Sequence, residues 1–148
     1  MEIKVICKKE NYEKYKKMLE KSGFVISNNA KLLFKEEDYS QDTFICDNSN
    51  EFEIIHFSQI ICIESYGHDI YLHTISKQYK IKEKLYEVEG ILVDKGFIRI
   101  NKSTIVSKQG IKRIKPSLNG RIDLVLRNDK TVYVSKSYNR QFKEFIGF

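Results

Sequence analysis

Residues 95–107 read KGFIRINKSTIVS. Two apolar pairs, Phe97-Ile98 and Ile105-Val106, flank a polar stretch from Arg99 to Thr104 that only Ile100 interrupts. The pattern predicts two short strands joined by a tight polar loop. A cation does not belong in the middle of a buried strand. Arg99 and Lys102 must therefore be reaching for something, either inside the loop or outside the protein.

The residues on either side have the same texture. Short strands are predicted at 43–46, 51–56, 60–64, 70–74 and 77–81, separated by Asn48-Ser49-Asn50, Gly67-His68-Asp69 and Ser76. Residues 82–93 read as a helix with Leu85, Val88 and Leu92 as its apolar stripe. After the quoted stretch come strands at 111–115, 121–126 and 131–134, the last two joined as a hairpin through Arg127-Asn128-Asp129-Lys130. Residues 121–126 alternate, which predicts one wet face. A short helix over 138–146 carries Phe142, Phe145 and Ile146. Such spacing predicts a mainly β, antiparallel architecture with one or two short helices.

A smaller unit precedes it. EIKVIC at 2–7 alternates as a strand, and Asn11 is placed to cap a helix over 12–21 with Tyr15, Met18 and Leu19 on one face. Ser22-Gly23 ends that helix. Strands follow at 24–26 and 31–34, and the polar run at 35–41 reads as a linker. The division expected is a small β-α-β extension over 1–42 and a second domain over 43–148.

The chain has 148 residues, 41% of them hydrophobic, which suits one modest core and excludes a disordered chain. No apolar run approaches the roughly 20 residues of a membrane helix, and the N-terminus lacks a signal-peptide core, so a cytoplasmic protein is expected. Cys7, Cys46 and Cys62 are odd in number, without CxxC spacing, and read as buried free thiols. His56, His68 and His73 show no ligand spacing with them, so neither a metal nor a cofactor is expected. No motif of a nucleophilic, nucleotide-binding or metallohydrolase site occurs, so no catalytic residue is expected. His56 and His73 read as partly buried strand residues, and Glu51 and Glu53 as a wet face.

Charge is distributed unevenly. Residues 1–50 are balanced, and residues 51–94 carry 4 Lys/Arg against 8 Asp/Glu. Residues 95–148 carry 13 Lys/Arg against 3 Asp/Glu, a local excess of +10 within a chain of +6. A basic third of this kind points to a polyanion or to a merely solvated lysine-rich surface.

Four segments, in order, resemble one family. Residues 60–65, IICIES, resemble the segment that opens the LytTR DNA-binding domain. GFIRINKSTIVS resembles its aromatic-x-Arg strand, polar loop and following strand. Ile111-Lys-Arg-Ile114 resembles the next strand. Leu124-Val-Leu126, Asp129-Lys130 and Val132-Tyr-Val-Ser-Lys-Ser-Tyr138 resemble its closing hairpin and turn. The set spans about residues 51–148.

The resemblance implies an elongated antiparallel β-sheet domain that binds double-stranded DNA through loops in the major groove, with two copies or a homodimer on paired repeats. It implies a stand-alone regulator, since residues 1–50 are too few for a receiver domain. Carried over, Lys102 takes the base-facing position, where lysine matches the N7 and O6 acceptors of guanine. Arg99 and Ser103 lie near phosphates or fix the loop, and Asn101 stands where histidine is frequent. His68 matches a groove-facing residue on the 65–69 loop, where Gly67 permits the turn. Lys136 matches a basic position, with Ser137 and Arg140 beside it. Without the resemblance, Lys102 and Lys136 read as solvated lysines and His68 as a turn residue. The alternative reading is a non-enzymatic RNA- or protein-binding module, with Tyr66, Tyr71, Tyr79 and Tyr138 as stacking candidates.

Overall fold

In a computed structural model, residues 1–37 and 41–147 are described, and the chain forms two compact units, Met1–Gln41 and Asp42–Phe148. Part of the run expected as a linker, residues 38–40, lies outside the described residues.

In the first unit, β1 (Glu2–Ile6) is the centre of a parallel sheet, flanked by β2 (Val25–Ile26) and β3 (Leu32–Lys35). Helix α1 (Tyr12–Lys21) lies between β1 and β2 in the chain. Ile3, Val5 and Leu19 are buried, with Tyr12, Tyr15 and Phe34 packed against them. Met18, expected on the buried face, is 47% exposed; the stripe runs Tyr12, Tyr15, Leu19, and Met18 falls beside it. Asn11 does not cap α1. Its Nδ2 donates to Glu36 Oε1 at 2.7 Å, while Lys8 N donates to the other carboxylate oxygen at 2.9 Å. The C-terminus is as expected: Gly23 has φ +94° and Phe24 N donates to Leu19 O at 3.0 Å.

The second unit is mainly strand. Its larger sheet has seven antiparallel strands. They are β4 (Thr43–Asn48), β5 (Glu51–His56), β6 (Cys62–Tyr66), β7 (Asp69–His73), β8 (Gln78–Ile81), β9 (Phe97–Asn101) and β10 (Thr104–Ser107), in the order β5-β4-β8-β7-β6-β10-β9. A second antiparallel sheet holds β11 (Ile111–Pro116), β12 (Ile122–Leu126) and β13 (Thr131–Val134) in chain order. Helix α2 (Leu85–Leu92) packs on β9 and β6, and α3 (Asn139–Ile146) closes the chain.

One core joins the two sheets. Cys62, Ile100 and Val106 of the larger sheet meet Ile122, Leu124, Leu126, Val132 and Val134 of the smaller, with Phe142 of α3 wholly buried among them. Burial of this many branched side chains is the main favourable term, at roughly 1.5–3 kcal/mol for each large one. α2 begins three residues later than expected, and Lys84 N donates to Glu87 Oε1 at 3.2 Å at its start. Ile91 joins Leu85, Val88 and Leu92 in the buried stripe.

Three local expectations are corrected. Val125 is 6% exposed, so the wet face of β12 narrows to Asp123; Val125 lies in register between Arg113 and Thr131 on its flanking strands. On β5, Glu53 turns inward. Its carboxylate accepts hydrogen bonds from the Tyr79 hydroxyl and, at 2.9 Å, from Asn48 Nδ2, and lies 3.6 Å from Lys77 Nζ. Phe52 and Ile54 take the exposed face instead. His56 is exposed rather than partly buried, its Nδ1 2.8 Å from Ser58 Oγ, where it caps the short turn Phe57–Gln59. Cys46 and Cys62 are buried free thiols, and Cys7 is half-buried.

Candidate nucleic-acid interface

The loop that opened the sequence reading is a tight turn between β9 and β10, closed by the pair Asn101–Thr104. Arg99 turns back onto it. Its Nε donates to Asn101 O at 3.2 Å, its Nη2 donates to Lys102 O, and its Nη1 lies 3.9 Å from Glu89 Oε1. Arginine suits this task because its planar fork carries several donors in fixed directions. Arg99 therefore clamps the loop from within.

Asn101 is also internal, at 4% exposure. Its Oδ1 accepts from Ser103 N at 2.8 Å and lies 3.1 Å from Ser103 Oγ, and its Nδ2 donates to Tyr133 O at 2.9 Å. Its side chain is committed to bonds inside the protein. Ser103 is half-buried against it. Lys102 is left exposed at the tip, with no side-chain hydrogen bond or ion pair among the described residues.

Two further loops are stitched to this one. Ser65 N, at the base of the β6–β7 hairpin, donates to Ser103 O at 2.9 Å. That hairpin turns through Gly67, φ +61°, and His68; a glycine with positive φ at the first central position fits a type II′ turn. His68 is exposed. On the other side, Ser135 N donates to Ile100 O at 2.9 Å, which holds the 135–138 turn beside β9. Lys136 and Ser137 are exposed there. His68, Lys102 and Lys136 thus stand on three loops whose backbones are joined by hydrogen bonds. Arg140 lies in α3, 93% exposed at its side chain, with Nε 3.7 Å from Glu144 Oε1.

A charged group supports the hairpin from below. Glu64 Oε1 lies 2.9 Å from Lys130 Nζ and 3.2 Å from His73 Nε2, and Lys130 Nζ is 3.4 Å from Tyr66 Oη. Burial alone would raise the Glu64 carboxyl, but the hydrogen bonds and charges of His73 and Lys130 outweigh it and hold the group below its ordinary value. Burial opposes the Lys130 ammonium, and Glu64 and Tyr66 reverse that and raise it. Both groups are charged at neutral pH. His73 is 6% exposed, buried more fully than the partly buried strand position expected. Cys62, Glu64 and His73 bring potential ligand atoms within 4.8 Å of one another. Lys130 already neutralises Glu64, and burial pushes the Cys62 thiol up to about 12, so the donor set is poorly suited to a cation.

Arg99 takes the second of its two expected roles and fixes the loop, while Lys130 as the partner of Glu64 was not expected. The spacing Arg99-x-Asn101 carried a signal for the first, since both side chains lie close to the turn. Nothing local marks the second, because Lys130 and Glu64 are far apart in the chain.

The two sheets thus hold three short loops in fixed register, and on two of them Lys102 and Lys136 are exposed with no side-chain partner among the described residues. The chain belongs to the LytTr DNA-binding domain family, whose sequence profile matches residues 50–147. It is similar to uncharacterized HTH-type transcriptional regulators of Staphylococcus aureus, at 35% identity in strain bovine RF122 / ET3-1 and 34% in strain NCTC 8325 / PS 47. Each match covers 94 residues, 64% of this chain and 63% of the relative. Among solved structures, a LytTr DNA-binding domain from Bacillus cereus matches with TM-score 0.69 and 27% identity, over 74% of this chain and all of that one.

Proposed function

We propose that the chain is a sequence-specific transcriptional regulator that places the loops carrying His68, Lys102 and Lys136 into the major groove of paired repeat sites, two copies to a site. The observation that carries this reading is the stitching of those loops through Ser65–Ser103 and Ser135–Ile100. Fixed spacing between loops is what a groove reader needs, because each base pair presents its acceptors at a fixed position. Arg99, Asn101 and Ser103 shape the central loop. Ser137 and Arg140 supply phosphate contacts, and the basic residues of 95–148 supply the salt-dependent attraction.

No helix of the described residues is long and apolar enough to cross a membrane, and the regulator acts in the cytoplasm, where its DNA lies. Residues 1–42 serve self-association or a protein contact. Their deletion with no change in oligomer size or DNA affinity removes that role.

RNA stacking has less support. Tyr79 is 5% exposed with its hydroxyl on Glu53, and Tyr71 and Tyr138 are half-buried; of the four stacking candidates only Tyr66 is exposed. Competition between a duplex DNA pool and single-stranded RNA for the full chain tests the choice. Duplex is expected to win, and preference for the RNA overturns the reading.

A further inference from the structure

The hairpin between β11 and β12 belongs to none of the three loops, yet it adjoins one of them. Its turn is built: Ser117 N donates to Arg121 O at 3.0 Å, Ser117 Oγ donates to the same oxygen at 2.6 Å, and Arg121 N donates to Asn119 Oδ1 at 3.2 Å. Gly120 has φ +82°, and its carbonyl accepts from Asn139 Nδ2 at 2.6 Å. A Cβ at Gly120 would stand 3.1 Å from Lys136 Cε, so the stem of Lys136 lies over the turn. The tip is thereby held against the 135–138 loop.

What this turn displays is Leu118, 109% exposed. A leucine wholly in water at the tip of a hydrogen-bonded turn contributes nothing to the core. Its surroundings are cationic: residues 111–122 contain Lys112, Arg113, Lys115 and Arg121 and no Asp or Glu. Lys112 lies 3.6 Å from Asp129 and Arg121 3.0 Å from Asp123, the latter with its guanidinium 4.2 Å from the centre of the Tyr133 ring. Arg113 and Lys115 are exposed and have no ion pair among the described residues. An apolar tip between unpaired cations, continuous with Lys136, is matched by a polyanion that carries an apolar mark. In duplex DNA that mark is the C5 methyl of thymine, the apolar group on the major-groove edge.

We propose that Leu118 is a specificity-determining residue that covers a thymine methyl beside the bases met by the Lys136 loop, with Arg113 and Lys115 on the adjoining phosphates. The inference rests on the DNA-binding reading above. Continuity with Lys136 and the absence of carboxylates from residues 111–122 favour the duplex over a protein surface.

The test uses the full chain. A duplex is first recovered from a randomised pool with wild type. Each thymine of that duplex is then replaced singly by deoxyuridine, which removes only the methyl. Dissociation constants are measured for wild type and Leu118→Ala. Wild type is expected to lose about fourfold at one or two thymines, the worth of one buried methyl, and Leu118→Ala to lose nothing there. Equal responses of the two proteins at every thymine overturn the role of Leu118 while leaving the DNA reading intact. Recovery of no common sequence by wild type overturns the DNA reading, and this inference with it.

Discussion

The side-chain amide of Asn101 donates to the main-chain carbonyl of Tyr133 at 2.9 Å, and so ties the β9–β10 turn to the strand that leads into the Lys136 loop. Its carbonyl side accepts Ser103 N at 2.8 Å. One buried residue thus fixes two of the proposed reading loops relative to each other.

Asn101→Ala removes both bonds and leaves the partly buried Tyr133 carbonyl and Ser103 amide without these partners. A loss of about 1–3 kcal/mol is expected in denaturant unfolding. Under conditions where the variant remains folded, discrimination between matched and mismatched duplexes is expected to fall further than non-specific binding. Unchanged stability would show that water replaces the tie without cost.

Lys102→Ala is expected to leave stability within about 0.5 kcal/mol of wild type, because the side chain is exposed and has no partner among the described residues. Its effect belongs to recognition, at about 1–3 kcal/mol at one base pair. Arg99→Ala is the complement: loss of its bonds to Asn101 O and Lys102 O weakens the fold and the recognition together. Unfolding and binding curves for both variants check the split.

Glu64 and Lys130 set an acid limit on stability. Glu64 is held below its ordinary value in the folded state, so its contribution is complete above the unfolded carboxyl range and is lost as pH falls through the lower folded value. Lys130 is held above its ordinary value, so its contribution is lost only as pH rises past the raised folded value. Lys130→Met leaves His73 alone to offset burial at Glu64. It is expected to shift the acid unfolding midpoint upward and to cost about 2 kcal/mol at neutral pH, below the cost for a fully buried pair because the lysine side chain is 30% exposed. Acid titrations of both proteins check this, and coincident curves would remove the role given to the pair.

Gly110 tests the join between the two sheets. A Cβ there would stand 2.9 Å from Ile61 O and 3.2 Å from Ile61 Cα, both backbone atoms that cannot swing aside. Gly110→Ala is expected to cost about 1–3 kcal/mol through forced displacement. Gly96→Ala meets nothing within 4 Å and tests backbone strain alone, at φ +82°. Thermal melts of both separate crowding from strain.

Much of this fold was legible in the sequence, and the reasons differ by element. The short strands of the second unit announced themselves by alternation and turn residues. The start of α2 did not, because 82–84 has helix-forming composition while the backbone of Lys84 is extended. β5 misled because EFEIIH alternates in either sense, and the Tyr79 hydroxyl on Glu53, a contact between distant residues, decides which face turns in. In the proposed site, the exposed tips at His68, Lys102 and Lys136 follow from turn chemistry. The tie of Asn101 to Tyr133 O does not, since that carbonyl is brought close only by the tertiary fold, whereas the carbonyls that Arg99 grips lie two and three residues on in the chain.

If about 4–6 phosphates are neutralised, the logarithm of affinity falls against the logarithm of salt concentration with slope near −4 to −5. Titrations across a range of salt on a single duplex measure it. A flat dependence contradicts a binding surface built from the basic residues of 95–148.

The central claim is that the loop of residues 101–104 reads bases. Selection of bound fragments from a randomised duplex pool, with wild type and Lys102→Ala side by side, tests it most directly. Wild type is expected to enrich a repeated motif, and the variant to enrich the same motif with specificity relaxed at one or two positions. Identical motifs from both proteins, or none beyond salt-sensitive bulk binding from wild type, would contradict it.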